Sequence, residues 1–91
     1  MYCRGINKVL LFGGTISIGD GAFYNCSGLK NITIGGDIIS IGDSAFDECS
    51  GLKTVYYNGS EKKWTSVTIM SNNNDLLNAK IIIIGGRVLP V

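Results

Sequence analysis

The sequence contains no histidine and only one proline, and just 16% of its residues are charged. Without histidine, the chain lacks the side chain most often used as general base or metal ligand near neutral pH. With one proline against thirteen glycines, its corners must be made by glycine. Charge of either sign is sparse: eight Lys/Arg face seven Asp/Glu, a net charge of +1, and only Lys62 and Lys63 are adjacent. A nucleic-acid surface normally shows a strongly basic face, so that class of partner is not expected. Long apolar runs are also missing. The longest, residues 9–12 and 81–84, fall far short of the ~20 residues a membrane-spanning helix needs. No apolar stretch of signal-peptide length follows Met1-Tyr2-Cys3-Arg4, which taken alone implies a chain that is not exported.

What the sequence does have is repetition. Residues 18–34 return as residues 41–57, a shift of 23, with ten of the seventeen positions identical. A fixed period of this length marks a solenoid, in which each unit buries its apolar face only against its neighbours. The same shift places Cys3 on Cys26, Gly5 on Gly28, Ile6 on Leu29, Val9 on Ile32 and Leu11 on Ile34. The chain thus opens half-way through a unit, and a fragment of a longer repeat protein is expected. At 91 residues and 45% hydrophobic content, the whole amounts to one small folded domain.

Each unit predicts two short strands. The first covers residues 8–11, 31–34 and 54–57, with Val9/Leu11, Ile32/Ile34 and Val55/Tyr57 pointing inward by period-2 alternation. The second covers residues 15–18 and 38–41, after the Gly13-Gly14 and Gly35-Gly36 corners. Asp20 and Asp43 read as N-caps of one-turn helical segments, with Phe23 and Phe46 as the large core plugs on that side.

The motif Ile-Gly-Asp-x-Ala-Phe-x-x-Cys-Ser-Gly-Leu-Lys, present twice and half-present once, resembles the BspA-like leucine-rich repeat family of bacterial and protist surface proteins. The resemblance implies an α/β or mainly β solenoid of 23-residue repeats, with a parallel concave sheet and short helical turns opposite. It also implies a cell-surface or secreted location, as part of a larger protein. The expected organisation is leucine-rich repeats over 1–57 (a half repeat 1–17 and repeats 18–40 and 41–57), a C-terminal capping segment over 58–84, and a tail over 85–91. Tyr56-Tyr57-Asn58-Gly59-Ser60-Glu61, followed by Trp64, resembles the closing segment of such arrays. There Ser60 is a plausible N-cap, and Trp64, Ile69 and Leu77 would cover the end of the stack. Residues 72–75 form a turn cluster ahead of a last strand over 80–84.

No constellation for chemistry emerges. Three cysteines at repeat-equivalent positions suit a ladder of buried free thiols, because parallel Cβ vectors do not converge as a disulfide requires. The glycine pairs lack any phosphate-loop context. Asp20 and Asp43 have no nucleophile or base beside them. No catalytic residue, cofactor or metal is expected. Three N-glycosylation sequons start at Asn25, Asn31 and Asn58, and in a repeat rich in Asn, Ser and Thr they read most simply as chance.

The expected binding surface is the outward side of the first-strand ladder. Its columns are Lys8/Asn31/Thr54, Leu10/Thr33/Tyr56 and Phe12/Asn58 (with Gly35 between). Extended concave faces of this kind are where solenoids bind, and exposed large apolar residues mark contact sites. Protein recognition is therefore the leading reading. The alternative is a structural element that extends or pairs repeat stacks with no ligand of its own, and an enzyme is a distant third. An uncapped N-terminal half repeat also predicts self-association through that end.

Overall fold

A computed structural model describes residues 7–11 and 17–85. Two parallel sheets form two walls of a short prism. The larger has four strands, β1 (Lys8–Leu11), β3 (Asn31–Gly35), β5 (Thr54–Asn58) and β7 (Lys80–Ile83), in that spatial order. The smaller has three two-residue strands, β2 (Ser17–Ile18), β4 (Ser40–Ile41) and β6 (Thr68–Ile69). Each rung runs from the large sheet through a corner to the small sheet, then through a turn back to the next large-sheet strand. The expected solenoid with parallel sheets is what the chain forms.

The register explains both the regularity and its end. Asn31 pairs with Thr54 and Ser40 pairs with the repeat-equivalent Ser17, all at the 23-residue shift. Beyond β5 the shift changes: Thr54 pairs with Lys80, and Ser40 with Thr68. The segment expected to act as a cap therefore adds strands to both sheets. It accommodates the changed spacing with helix α1 (Glu61–Thr65) at the corner and helix α2 (Asn74–Asn78) in place of the turn. Ser60 caps α1 as expected, its side chain accepting from the Lys63 amide at 3.1 Å.

The core lies between the walls. Ile32, Ile34, Val55 and Tyr57 from the large sheet and Ile41 from the small one are fully buried, as alternation predicts. Leu29, Cys26, Phe46, Cys49 and Leu76 close the third side. Phe23 stacks on Phe46 with ring centroids 5.3 Å apart but remains half-exposed. It was expected to be as buried as Phe46, yet it is the outermost described plug and Phe46 covers one of its faces. At the other end Trp64 leans on Tyr57 at 5.0 Å. The covering leucine is Leu76, which is fully buried, and not Leu77, which is 52% exposed. The expected order reverses because α2 turns its 76 position, not 77, onto the core.

The third wall is held by an unusual backbone ladder. Residues 20–25 and 43–48 are successive turns, not one-turn helices. The amides of Gly21, Phe23 and Asn25 donate across the rung to the carbonyls of Asp43, Ala45 and Asp47, at 2.8–2.9 Å. This alternating donation needs left-handed residues, found at Gly21 (φ 64°), Asn25 (62°), Ser44 (59°), Glu48 (62°) and Asn72 (66°). The Asp side chains accordingly do not cap their own turn. Asp20 Oδ1 accepts from the Asp43 amide of the next rung at 2.8 Å, and Asp43 Oδ1 accepts from Asn72 Nδ2 at 3.1 Å. Gly42 is required here, since a Cβ would stand 2.6 Å from the Asp20 amide nitrogen.

The ladder ends at Asn73, which is 1% exposed. Its Oδ1 accepts from the Phe46 amide at 2.9 Å, while Nδ2 donates to Gly42 O at 3.0 Å and Met70 O at 3.1 Å. One rung earlier the equivalent Phe23 amide donates to a backbone carbonyl. The Asn73 amide group replaces that carbonyl where the chain leaves the ladder to enter α2, so it makes no cap bond to its own helix.

The free-thiol ladder is only half correct. Cys49 is free and buried, its Sγ donating to Phe23 O at 3.1 Å, and burial pushes its thiol up to about 11. Cys26, in contrast, is disulfide-bonded. Adjacent parallel rungs stand ~4.8 Å apart, within the Cα separation that a disulfide spans, so stacked cysteines can bridge. Cys3, Phe12, Gly13, Gly14, Thr15, Ile16 and the tail beyond Gly85 lie outside the described residues.

Candidate binding face

Alternation along the four large-sheet strands sends one set of side chains into the core and the other to the outer face. In register, that face carries Lys8, Asn31, Thr54 and Lys80 in one row. Leu10, Thr33, Tyr56 and Ile82 form the next row. Two residues of strand separate the rows, about 6.6 Å, and strands are spaced ~4.8 Å apart. The face thus presents a grid of about 14 Å by 7 Å before its margins are counted.

The expected columns come together as two of these rows, and the details differ by position. Leu10 is 54% exposed, whereas Thr33, flanked in register by Leu10 and Tyr56, is only 5% exposed. Asn31, Thr54 and Tyr56 are half-buried and Lys8 is exposed. Phe12 is outside the described residues. Asn58 lies at the far end of β5, and its Oδ1 is buried with no hydrogen-bond partner. Its neighbour Gly59 sits against the Tyr57 ring, where a Cβ would meet Cε2 at 2.6 Å. The third column therefore offers little open polar surface.

Lys80 and Ile82 extend both rows by one strand and were not foreseen. The strand over 80–84 was recognised, but its 26-residue offset from β5 broke the 23-residue search. Its four consecutive isoleucines mark a strand but carry no alternation that would tell its two faces apart.

A second concavity of about 250 Å³ opens at the corner beside α1, lined by Gly36, Asp37, Ile38, Ile39, Tyr57, Lys63 and Ser66. The Tyr57 hydroxyl donates to Gly36 O at 3.4 Å. Burial, with a smaller push from Asp37, raises its ionisation above the usual phenol range. Among the described residues no group of three or more His, Cys, Asp or Glu could hold a metal ion, and no helix is long and apolar enough to cross a membrane.

Comparison with known families agrees with this geometry. The family model described as "BspA type Leucine rich repeat region (6 copies)" matches residues 1–83. The chain belongs to the BspA-type leucine-rich repeat family. No curated protein and no solved structure matches it. The match extends through the α1 and α2 segments, in keeping with β6 and β7 joining the same two sheets. Modules of this BspA-type family mediate protein interactions, are generally non-enzymatic and are typically surface-associated.

Proposed function

We propose that this BspA-type chain is a protein-recognition module of a larger cell-surface protein, binding through the outer face of its four-stranded sheet and performing no catalysis. The observation that carries the reading is the registered row Leu10/Thr33/Tyr56/Ile82, in which Leu10 is exposed and Tyr56 and Ile82 are half-buried on one regular ladder. Apolar anchors on a pre-ordered surface lose little entropy on binding. The test is capture of secreted and matrix proteins by the wild-type chain against a Leu10→Lys/Tyr56→Lys variant of equal thermal stability. A partner that binds both equally well would refute the assignment to this face.

A second reading is pairing of two copies end to end. The outer strands β1 and β7 each carry inward side chains that are only partly covered: Val9 and Leu11 on one, Ile81 and Ile83 on the other. Strand edges of this kind favour association. Light scattering coupled to size exclusion decides it, and a monodisperse species near 9.7 kDa at micromolar concentration rules pairing out.

A further inference from the structure

The charges of this chain are few, and the fold sorts them. Every large-sheet strand carries a lysine at its foot: Lys8 opens β1, Lys30 immediately precedes β3, Lys53 immediately precedes β5, and Lys80 opens β7. All four are exposed. They stand on successive rungs, for the Lys53 amide donates to Lys30 O at 2.8 Å and the Lys80 amide to Lys53 O at 2.8 Å, but staggered: Lys8 and Lys80 are in register with Asn31 and Thr54, one residue beyond Lys30 and Lys53. None of the seven acidic residues lies on these strands. Asp37 is at the corner after β3. Asp20, Asp43, Asp47 and Glu48 are in the turns of the third wall, and Glu61 and Asp75 are in α1 and α2. A chain with a net charge of only +1 thus shows a one-signed margin along one edge of its open sheet.

Beside that margin, about 6.6 Å along the strands from Lys8 and Lys80 and about 10 Å from Lys30 and Lys53, runs the row holding Leu10, Tyr56 and Ile82. Together they form a two-lane surface, cationic on one side and apolar on the other. Building on the assignment of recognition to this face, we infer that its partner presents an extended peptide segment carrying both acidic and large apolar side chains, lying across the strands with its carboxylates on the lysine margin. The lysine lane spans about 14 Å across three strand spacings, the reach of four to five extended residues at ~3.3 Å each. Successive side chains of such a segment alternate in direction, which lets acidic and apolar residues address separate lanes. A purely ionic polymer such as a sulfated glycan would use the lysines and leave the apolar row idle, so the second lane favours a peptide.

The experiment uses the whole chain and a fluorescein-labelled hexapeptide of alternating Glu and Leu, read by anisotropy. The peptide should bind, and raising salt from about 50 to about 500 mM should weaken it several-fold, because exposed charge pairs are screened. Lys30→Glu/Lys53→Glu should weaken binding by about tenfold, since it turns two attractions into repulsions. Lys62→Glu/Lys63→Glu on α1 is the charge-matched control and should leave binding unchanged. A peptide with Lys for Glu should fail to bind. The inference is overturned by absence of binding, by equal losses in both double variants, or by salt-independent binding. It is also overturned if heparin binds the margin in a way that Leu10→Lys leaves intact while the peptide does not bind. A captured protein partner that is lost with Leu10→Lys/Tyr56→Lys but kept with Lys30→Glu/Lys53→Glu would sink the charge lane alone and leave the face assignment standing.

Discussion

Asn73 should be among the most sensitive polar positions in the chain, because it closes the third-wall ladder from inside. Truncation to Ala removes the acceptor of the Phe46 amide and the donor to Gly42 O and Met70 O. Each lost neutral bond is worth about 1 kcal/mol net, and each buried group left unpaired costs about 1–3 kcal/mol more than a solvated one. The site is 1% exposed, so water cannot readily replace the lost partner. Some relaxation of the turn will recover part of the loss, and Asn73→Ala should cost about 2–4 kcal/mol. That is a large share of the roughly 5–10 kcal/mol expected for a domain of this size. The assay is urea unfolding followed by Trp64 fluorescence, a probe that sits on Tyr57 in the core. Asn74→Ala, at the exposed first position of α2, is the control and should shift stability by less than about 0.5 kcal/mol. Asn73→Asp keeps an acceptor for Phe46 but aims a carboxylate at two carbonyls, so it should be nearly as damaging near neutral pH. That carboxyl would titrate above its unfolded value, and the deficit relative to wild type should shrink as pH falls. A loss under about 0.5 kcal/mol for Asn73→Ala would mean the clasp is incidental to the fold.

Four further expectations can be checked with the same unfolding assay or with thiol chemistry. Phe46→Ala should cost about 3–5 kcal/mol as a fully buried large-to-small change, and Phe23→Ala, half-exposed, distinctly less; equal losses would contradict the packing. Ser44→Gly should be neutral or stabilising by up to about 1 kcal/mol, because φ is 59° at Ser44 and Gly already fills the equivalent position 21; a clear loss would put the role of Ser44 in its side chain. Cys49 should resist a thiol reagent at pH 8 until the chain unfolds. Because its folded value of about 11 lies above the ordinary 9.0, its contribution to stability is complete below pH 9 and is lost as pH rises toward 11; labelling of the native chain at the rate of a free thiol would refute this. Denatured without reductant, the protein should show a blocked Cys26 and a reactive Cys49 by peptide mapping, and a reactive Cys26 would restore the free-thiol ladder.

How far the sequence could be read depended on what repetition reveals. Period-2 alternation located β1, β3 and β5 almost to the residue, because inward Ile32, Ile34, Val55 and Tyr57 have no other way to be buried. The same reading set the rows of the outer face, since strand alternation fixes both sides at once. Repetition was misleading where one side chain serves a different rung from its own. Asp20 looked like a local cap because its type and position suit one, but only the stacking of rungs shows its carboxylate reaching the Asp43 amide. Asn73 was hidden among three consecutive asparagines, and nothing in that run distinguishes the clasp from its exposed neighbours. The lysine margin was hidden differently: Lys30 and Lys53 were seen as repeat-equivalent, but Lys80 belonged to a segment outside the 23-residue register. The Thr54–Lys80 pairing sets Lys80 in register with Lys8, one residue beyond Lys30 and Lys53, so the four lysines share a margin without forming a single row. The altered spacing at α1 and α2, which leaves the sheet unbroken, therefore separates a scattered set of charges in sequence from a cationic margin in space.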